Sequence, residues 1–211
     1  MHSSSVPGTE GYAEDAEQLI ARYENVIAAD KYQVVRHLLP GRAGAVLDIG
    51  AGTGTDSAWL ASLGHKVVAV EPVVAFREAG MKTHASSDIE WLDDSLPALA
   101  ATGAREARFD LVVLAAVWMH LAAEERSEAM GNISKLLKPG ALLVMSLRHG
   151  PAQANRRIFE VSAHETLALA ARHHLKVVLS AQAPSVQQQN RQEGVSWSWL
   201  VFPAMRDAAA G

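Results

Sequence analysis

A chain of 211 residues, 49% hydrophobic and 20% charged with a net charge of −4, fits one soluble globular domain with a sizeable core. The acidic balance removes the electrostatic case for nucleic acid as a partner. The absence of cysteine excludes disulfides, thiolate metal sites and a cysteine nucleophile.

No apolar run reaches the ~18 residues of a membrane span, so no membrane partner is indicated. The opening MHSSSVPGTEG has no hydrophobic centre and is not read as a signal peptide, which leaves a cytoplasmic location by default. Met1 to Gly11 is small and polar, the composition of a mobile tail. Tyr12 to Leu39 reads as one or two helices with Leu19, Ile20, Tyr23, Val26 and Ile27 on one face and a break within Asn25 to Asp30. Residues 1–40 thus form a helical segment, either packed on a sheet edge or lying as a lid over a site, and 41–205 the main domain. Tyr12 and Tyr23 are candidate substrate contacts, and Arg22 can meet the carboxylate of a ligand's amino-acid end or stand as a surface cation.

The most informative stretch is VLDIGAGTGTDSAWLASLGHKVVAVEP, Val46 to Pro72. Val46, Leu47 and Ile49 suit a buried parallel strand. Gly50, Gly52 and Gly54 free the next turn for unusual φ/ψ and close approach of a ligand. Thr55, Asp56 or Ser57 can cap the following helix, which carries Trp59, Leu60 and Leu63 and ends at Gly64-His65. Val67, Val68 and Val70 form a second strand with Glu71 at its carboxyl end, where open α/β sheets bind ligands. A carboxylate there can accept from a ribose diol, and the helix N-terminus favours an anionic group. The glycines run G-x-G-x-G, and Thr55 stands where a dinucleotide fingerprint has its third glycine. Asp48, beside the cleft, repels a pyrophosphate and suits an ammonium. A ligand with an amino-acid end, a ribose and a base fits, and the stretch resembles the first motif of class I S-adenosylmethionine-dependent methyltransferases.

Val73 to His84 reads as a helix, and Ile89 to Leu92 as a third strand followed by DDSLP. In the resembled family an acid here meets the adenine amino group, which implies Asp93, or else Asp94. Helix capping by Asp94 or Ser95 is compatible with that. FDLVVLAAV, Phe109 to Val117, is a central strand, and the resemblance places the methionine part of the cofactor at Ala115 and Ala116. Trp118 and His120 follow in the cleft, the first as a substrate contact, the second as a general base and cofactor neighbour or as a structural histidine. Ala122 to Leu137 is an amphipathic helix, Lys138-Pro139-Gly140 a turn and Ala141 to Leu147 a fifth strand. Arg148 and His149 lie past its tip as substrate contacts, with His149 a second candidate base. Gln153 to Glu160 suggests a short lid helix, and Ser162-Ala163-His164-Glu165 a capping box opening a helix through Leu175. Lys176 to Ala181 and Val195 to Phe202 are the last strands, joined by a polar loop from Pro184 to Gly194.

The stretches VLDIGAGTG, VVAVEP, DDSLP, AVWMHL and LRHGP together are similar to small bacterial methyltransferases of unassigned substrate. That resemblance covers roughly Leu39 to Phe202 and implies a Rossmann-like three-layer αβα sandwich. Its sheet is mostly parallel and seven-stranded, of order 3-2-1-4-5-7-6 with strand 7 antiparallel. It implies S-adenosylmethionine as cofactor, S-adenosylhomocysteine as product and methyl transfer to a small molecule by in-line displacement. The cofactor set is then Asp48, Gly50, Ala51, Gly52, Thr53, Gly54, Asp56, Glu71, Pro72, Asp93, Asp94, Ser95, Ala115, Ala116 and His120. No metal is expected, and monomer and homodimer are both compatible. The competing readings are a non-catalytic S-adenosylmethionine-binding regulator and an NAD(P)-dependent oxidoreductase, the latter lacking a recognisable Tyr-x-x-x-Lys pair.

Overall fold

The computed structural model describes residues 6–105, 108–153 and 155–205. Strands Ala45–Ile49 (β1), Lys66–Val70 (β2), Ile89–Leu92 (β3), Phe109–Ala115 (β4), Leu137–His149 (β5), Leu179–Pro184 (β6) and Ser196–Pro203 (β7) form one sheet. Its order is β3-β2-β1-β4-β5-β7-β6, with parallel pairs as far as β5 and β7 antiparallel to both neighbours. β6 therefore points the same way as β5. Its connection to β7 returns to the carboxyl edge, where the glycine turn also lies.

Strand parity builds two cores, one on each face. Leu47, Ile49, Val112, Leu114, Leu143, Met145, Leu200 and Phe202 point to one side. There they meet Ala129, Met130 and Ile133 of helix Ala123–Leu136 (α6) and Leu169 of helix Ala163–Arg172 (α7). Val46, Val67, Leu111, Val113, Val144, Trp199 and Val201 point the other way, toward Leu60 of helix Thr55–Ser62 (α3) and toward Tyr32 and Val35. Ile133 is fully buried, so truncating it to Ala would cost about 2–5 kcal/mol. Among the described residues no helix is long and apolar enough to cross a membrane.

Before β1, helices Ala16–Glu24 (α1) and Ala28–Lys31 (α2) are followed by a 3-10 turn, Arg36–Leu38. Tyr12, Leu19, Ile20 and Tyr23 pack on Val73 and on Phe76 of helix Val74–Thr83 (α4), over the carboxyl end of β2. Ile27 is 64% exposed because the chain turns between α1 and α2, so it leaves the apolar face expected of it.

Other boundaries also move. β4 ends at Ala115 because Ala116 turns left-handed, at φ +63°. The Lys138-Pro139-Gly140 segment lies inside β5 instead of forming a turn before it. The sixth strand starts at Leu179, and the polar loop after it contains a short helix, Gln188–Gln192 (α8). Gln153 to Glu160 forms no helix among its described residues; Arg156 and Arg157 instead bind Asp15 and Glu125 from an irregular segment. The box at Ser162 is half formed: its Oγ accepts from the Glu165 N–H, while the Glu165 carboxylate turns away to Arg126.

Candidate active site

A cavity of about 650 Å³ opens beyond the carboxyl ends of β1, β2, β4 and β5 and is covered by the segment before β1. That volume lies within the roughly 300–1,000 Å³ of small-molecule sites. Ile49, Val70, Ala115 and Ser146 come from the strand ends, Tyr12, Arg22 and Tyr23 from the cover, and Gln187 and Asn190 from the β6–β7 connection.

The glycine turn is shaped by its neighbours. Gly50 sits at φ +71°, and a Cβ there would lie 2.5 Å from the Val117 side chain. Gly54, at φ +82°, is backed by Trp91, whose ring would stand 2.7 Å from an added Cβ. Gly54 is itself the cap of α3, with no side-chain cap. The expected capping residues are otherwise engaged: Thr55 Oγ1 lies 3.4 Å from Thr53 Oγ1, and Ser57 donates to Asp48. The first N–H groups of α3 therefore remain available to an anionic group. Gly50, Ala51, Gly52, Thr53 and Asp56 line the cavity, while Gly54 stands behind them. The Tyr23 ring covers Gly52, with Cδ2 3.7 Å from a Cβ built there.

Glu71 is 5% exposed and accepts from the Gly52 and Val73 N–H groups, both at 2.8 Å, one on each carboxylate oxygen. Each oxygen keeps a further lone pair. Burial lifts its carboxyl to about pKa 7, against those two hydrogen bonds. Pro72, Asp94 and Ser95 share this wall. Asp94 accepts from the Ser95 N–H at 2.9 Å and from the Thr102 N–H and hydroxyl at 2.7 Å, so it also anchors helix Ala100–Ala104 (α5). Ala116 donates its N–H to Ser146 Oγ at 3.0 Å. Asp56 holds Lys31 in a short ion pair and takes the Tyr32 hydroxyl at 3.0 Å on the same oxygen, leaving Oδ1 buried without a partner.

On the facing wall the Tyr12 hydroxyl lies 2.9 Å from His120 Nε2, and His120 Nδ1 lies 2.8 Å from the Arg157 carbonyl. A carbonyl only accepts, so Nδ1 carries the proton; Nε2 of the neutral ring then accepts from Tyr12. Burial lowers the His120 pKa and raises that of Tyr12, the latter opposed by the Arg156 guanidinium 4.3 Å over the ring. Arg156 is clasped by Asp15 at 2.7 Å, and Arg22 donates to Gln187 at 2.7 Å and Asn190 at 3.0 Å. These contacts fasten the cover to the body.

Besides Gly54, four expected site residues stand outside the cavity lining. Asp48 does not line the cavity; it is buried beneath the turn, accepts from Ser57 Oγ at 2.6 Å, and is held near pKa 7 by burial and by the charge of Asp56. Asp93 is outside the cavity, its side chain 66% exposed and paired with Arg77 at 2.9 Å. Trp118 is fully buried in the core because the chain makes a 3-10 turn there, Trp118–His120. His149 faces away from the cavity and bonds Ser198 Oγ at 2.8 Å, since strand parity sends it to the side opposite Arg148. Arg148 does line the cavity, as do Tyr12, Tyr23, Ala115, Ala116 and His120.

Sequence reading missed Val6 to Thr9, which line the cavity with Gly8 against His120. Nothing in the small polar tail signals this. Residues 1–5 of that tail lie outside the described residues. Ser146 was within reach, since it shares strand parity with Arg148.

Residues 46–140 match a family described as "Methyltransferase domain". An uncharacterized methyltransferase of Geobacillus sp. (strain WCH70) is 28% identical over 142 residues, 65% of this chain and 59% of that protein. The chain thus spans less than two thirds of that relative's length. The fold is similar to 1,6-didemethyltoxoflavin-N1-methyltransferase of Burkholderia thailandensis, solved with 1,6-didemethyltoxoflavin and S-adenosylhomocysteine bound: TM-score 0.66, 20% identity, 97% of this chain and 93% of that one. It is likewise similar to the N-methyltransferase NodS of Bradyrhizobium japonicum with S-adenosylhomocysteine: TM-score 0.69, 18% identity, 92% and 99% coverage. The glycine turn, Glu71 and His120 fall inside the matched residues; Tyr12, Arg22, Arg148 and the β6–β7 connection fall outside them. Motif and sheet order agree with that match: residues 46–140 are similar to a methyltransferase domain, and the chain shares the fold of the methyltransferases named above.

Proposed function

We propose that the protein transfers the methyl group of S-adenosylmethionine to a small-molecule acceptor, with the donor on the glycine-turn side of the cavity and the acceptor on the Tyr12 side. One observation carries this: a single covered cavity shares the glycine turn and Glu71 on one wall with the Tyr12–His120 pair on the other. The residues fit the donor. Glu71 has lone pairs left for a ribose diol, the uncapped first turn of α3 suits a carboxylate, and the partnerless Oδ1 of Asp56 suits an ammonium. Asp94 and Ser95 take the adenine end in place of Asp93, with Ala115 and Ala116 at the methionine end. Bound there, S-adenosylmethionine supplies a methyl carbon open to in-line displacement.

The chain's own part is to position and to move a proton. Residues 1–40 act as the lid and 41–205 as the methyltransferase domain; the lid excludes water and holds the acceptor in line, worth several kcal/mol of barrier. An acceptor that carries a proton gives it to the Tyr12 oxygen as the Tyr12 proton passes to His120 Nε2. The Arg157 carbonyl holds the resulting imidazolium by its Nδ1–H. This sequence fits a cytoplasmic enzyme.

The test is calorimetric titration of wild type and Glu71→Ala with S-adenosylmethionine, S-adenosylhomocysteine and NAD. Expected are dissociation constants of about 1–100 μM for the two adenosyl ligands, at least about tenfold weaker in Glu71→Ala, and no NAD binding. Binding of NAD alone would return the oxidoreductase to first place. Donor binding with no turnover on any acceptor would favour the regulator.

A further inference from the structure

The acceptor side of the cavity carries cations without counter-ions. Arg148, half buried, uses only Nη1, donating to the carbonyls of Gly150 at 3.4 Å and Pro151 at 2.8 Å. Its Nε and Nη2 have no acceptor, and no carboxylate lies within 4.0 Å of it among the described residues. Among the described residues, Arg22 is bound only by the neutral side-chain amides of Gln187 and Asn190. Both guanidinium groups line the same cavity, and the charge of Arg22 bears on Arg148. The carboxylate that acts on Arg148, Glu193, is exposed and takes a hydrogen bond from Gln189.

Of the other cations lining the cavity, Arg191 donates to the carbonyls of Ser185 and Val186, and two are held by carboxylates. Lys31 pairs with Asp56 and Arg156 with Asp15. Two like charges lining an enclosed, partly desolvated space repel unless an anion joins them, and a guanidinium fork fits a planar carboxylate. Around them the wall is apolar and aromatic, with Tyr12, Trp197, Ile158 and Ala183.

We infer that the methyl acceptor is an organic acid with an apolar body, its carboxylate seated on Arg148 and Arg22 and its nucleophilic atom directed to Tyr12. This rests on the methyltransferase reading above and names the substrate class for that same site. The location explains why a chain of net charge −4 keeps unmatched arginines here. It also explains why the cover carries Arg22: seating the acid ties α1 to the end of β5 through one ligand.

The test uses protein loaded with S-adenosylhomocysteine and titrated with benzoate, 4-hydroxybenzoate and indole-3-carboxylate, each beside its neutral amide. Expected is binding of at least one acid, its amide at least about tenfold weaker. Arg148→Gln should weaken the acid about tenfold with S-adenosylhomocysteine affinity unchanged, and Arg148→Lys, which keeps the charge, should fall between. The inference is overturned if amides bind as well as acids, if Gln and Lys lose affinity equally, or if no acid binds up to about 10 mM. Failure of S-adenosylhomocysteine to bind wild type sinks the methyltransferase reading and this one with it; donor binding without acid discrimination sinks this one alone.

Discussion

Tyr12 and His120 are 108 positions apart in sequence, yet the Tyr12 hydroxyl donates to His120 Nε2 across 2.9 Å. The imidazole lone pair is thus occupied by the cover, and in the proposed reaction Tyr12 stands between the histidine and the acceptor. His120→Gln is expected to lower kcat about 100-fold or more for an acceptor that must lose a proton, with donor affinity near wild type. Tyr12→Phe should do the same. An unchanged kcat in both would remove the proton-transfer role.

The pH profile should follow. Burial holds the imidazole pKa below its ordinary 6.5, so the neutral ring persists into mildly acidic solution. The acid limb of kcat against pH is expected below 6.5 and absent from His120→Gln. A limb above that value would assign the base elsewhere.

Stability carries its own pH signature. Folded Asp48 keeps its proton to about pH 7 against 3.8 unfolded, and folded Glu71 to about 7 against 4.5. Between those values the folded state binds more protons, so stability falls as pH rises from about 4 to 7 and is flat above. Asp48→Asn keeps an acceptor for Ser57 and should flatten the slope, gaining roughly 2–4 kcal/mol at about pH 8. Thermal melts across that range decide it; an unaltered slope would mean that Asp48 is ionised when folded.

Gly54→Ala tests the backing of the turn. The left-handed backbone and the Trp91 ring both oppose a methyl there, so a loss of about 1–3 kcal/mol is expected in chemical denaturation. Wild-type stability would show that the turn relaxes freely.

The clasp is open to test as well. Asp15→Ala leaves Arg156, buried beside Tyr12, without its carboxylate. Faster proteolysis near residues 25–27, between α1 and α2, and several-fold weaker S-adenosylhomocysteine binding are expected. Unchanged proteolysis would show that the cover is held without it.

The central strands and glycine turn were legible because their signals are local: spacing, apolar runs and a carboxylate at a strand tip. Parity would have separated His149 from Arg148, since neighbours on a strand face opposite sides. Trp118 was misplaced because the chain leaves β4 by a 3-10 turn that drives the indole inward, which no local pattern specifies. Asp48 and Asp93 sit beside the right loops, but their side chains were already claimed by Ser57 and Arg77. Val6 to Thr9 become part of the wall only through contacts across more than 100 residues, so composition alone read them as a loose end.

The division of the cavity wall also has a meaning for redesign. The glycine-turn wall comes mainly from the matched residues 46–140, and the wall facing it draws His120 from them and Tyr12, Arg22 and Arg148 from the flanks. The flanks are then the part to exchange while the glycine turn stays in place, as a lathe keeps its chuck and changes its tool. On the proposed function, grafting residues 6–40 and 146–199 of this chain onto a methyltransferase of the same fold is expected to carry acceptor choice with them and leave the recipient's donor affinity where it was.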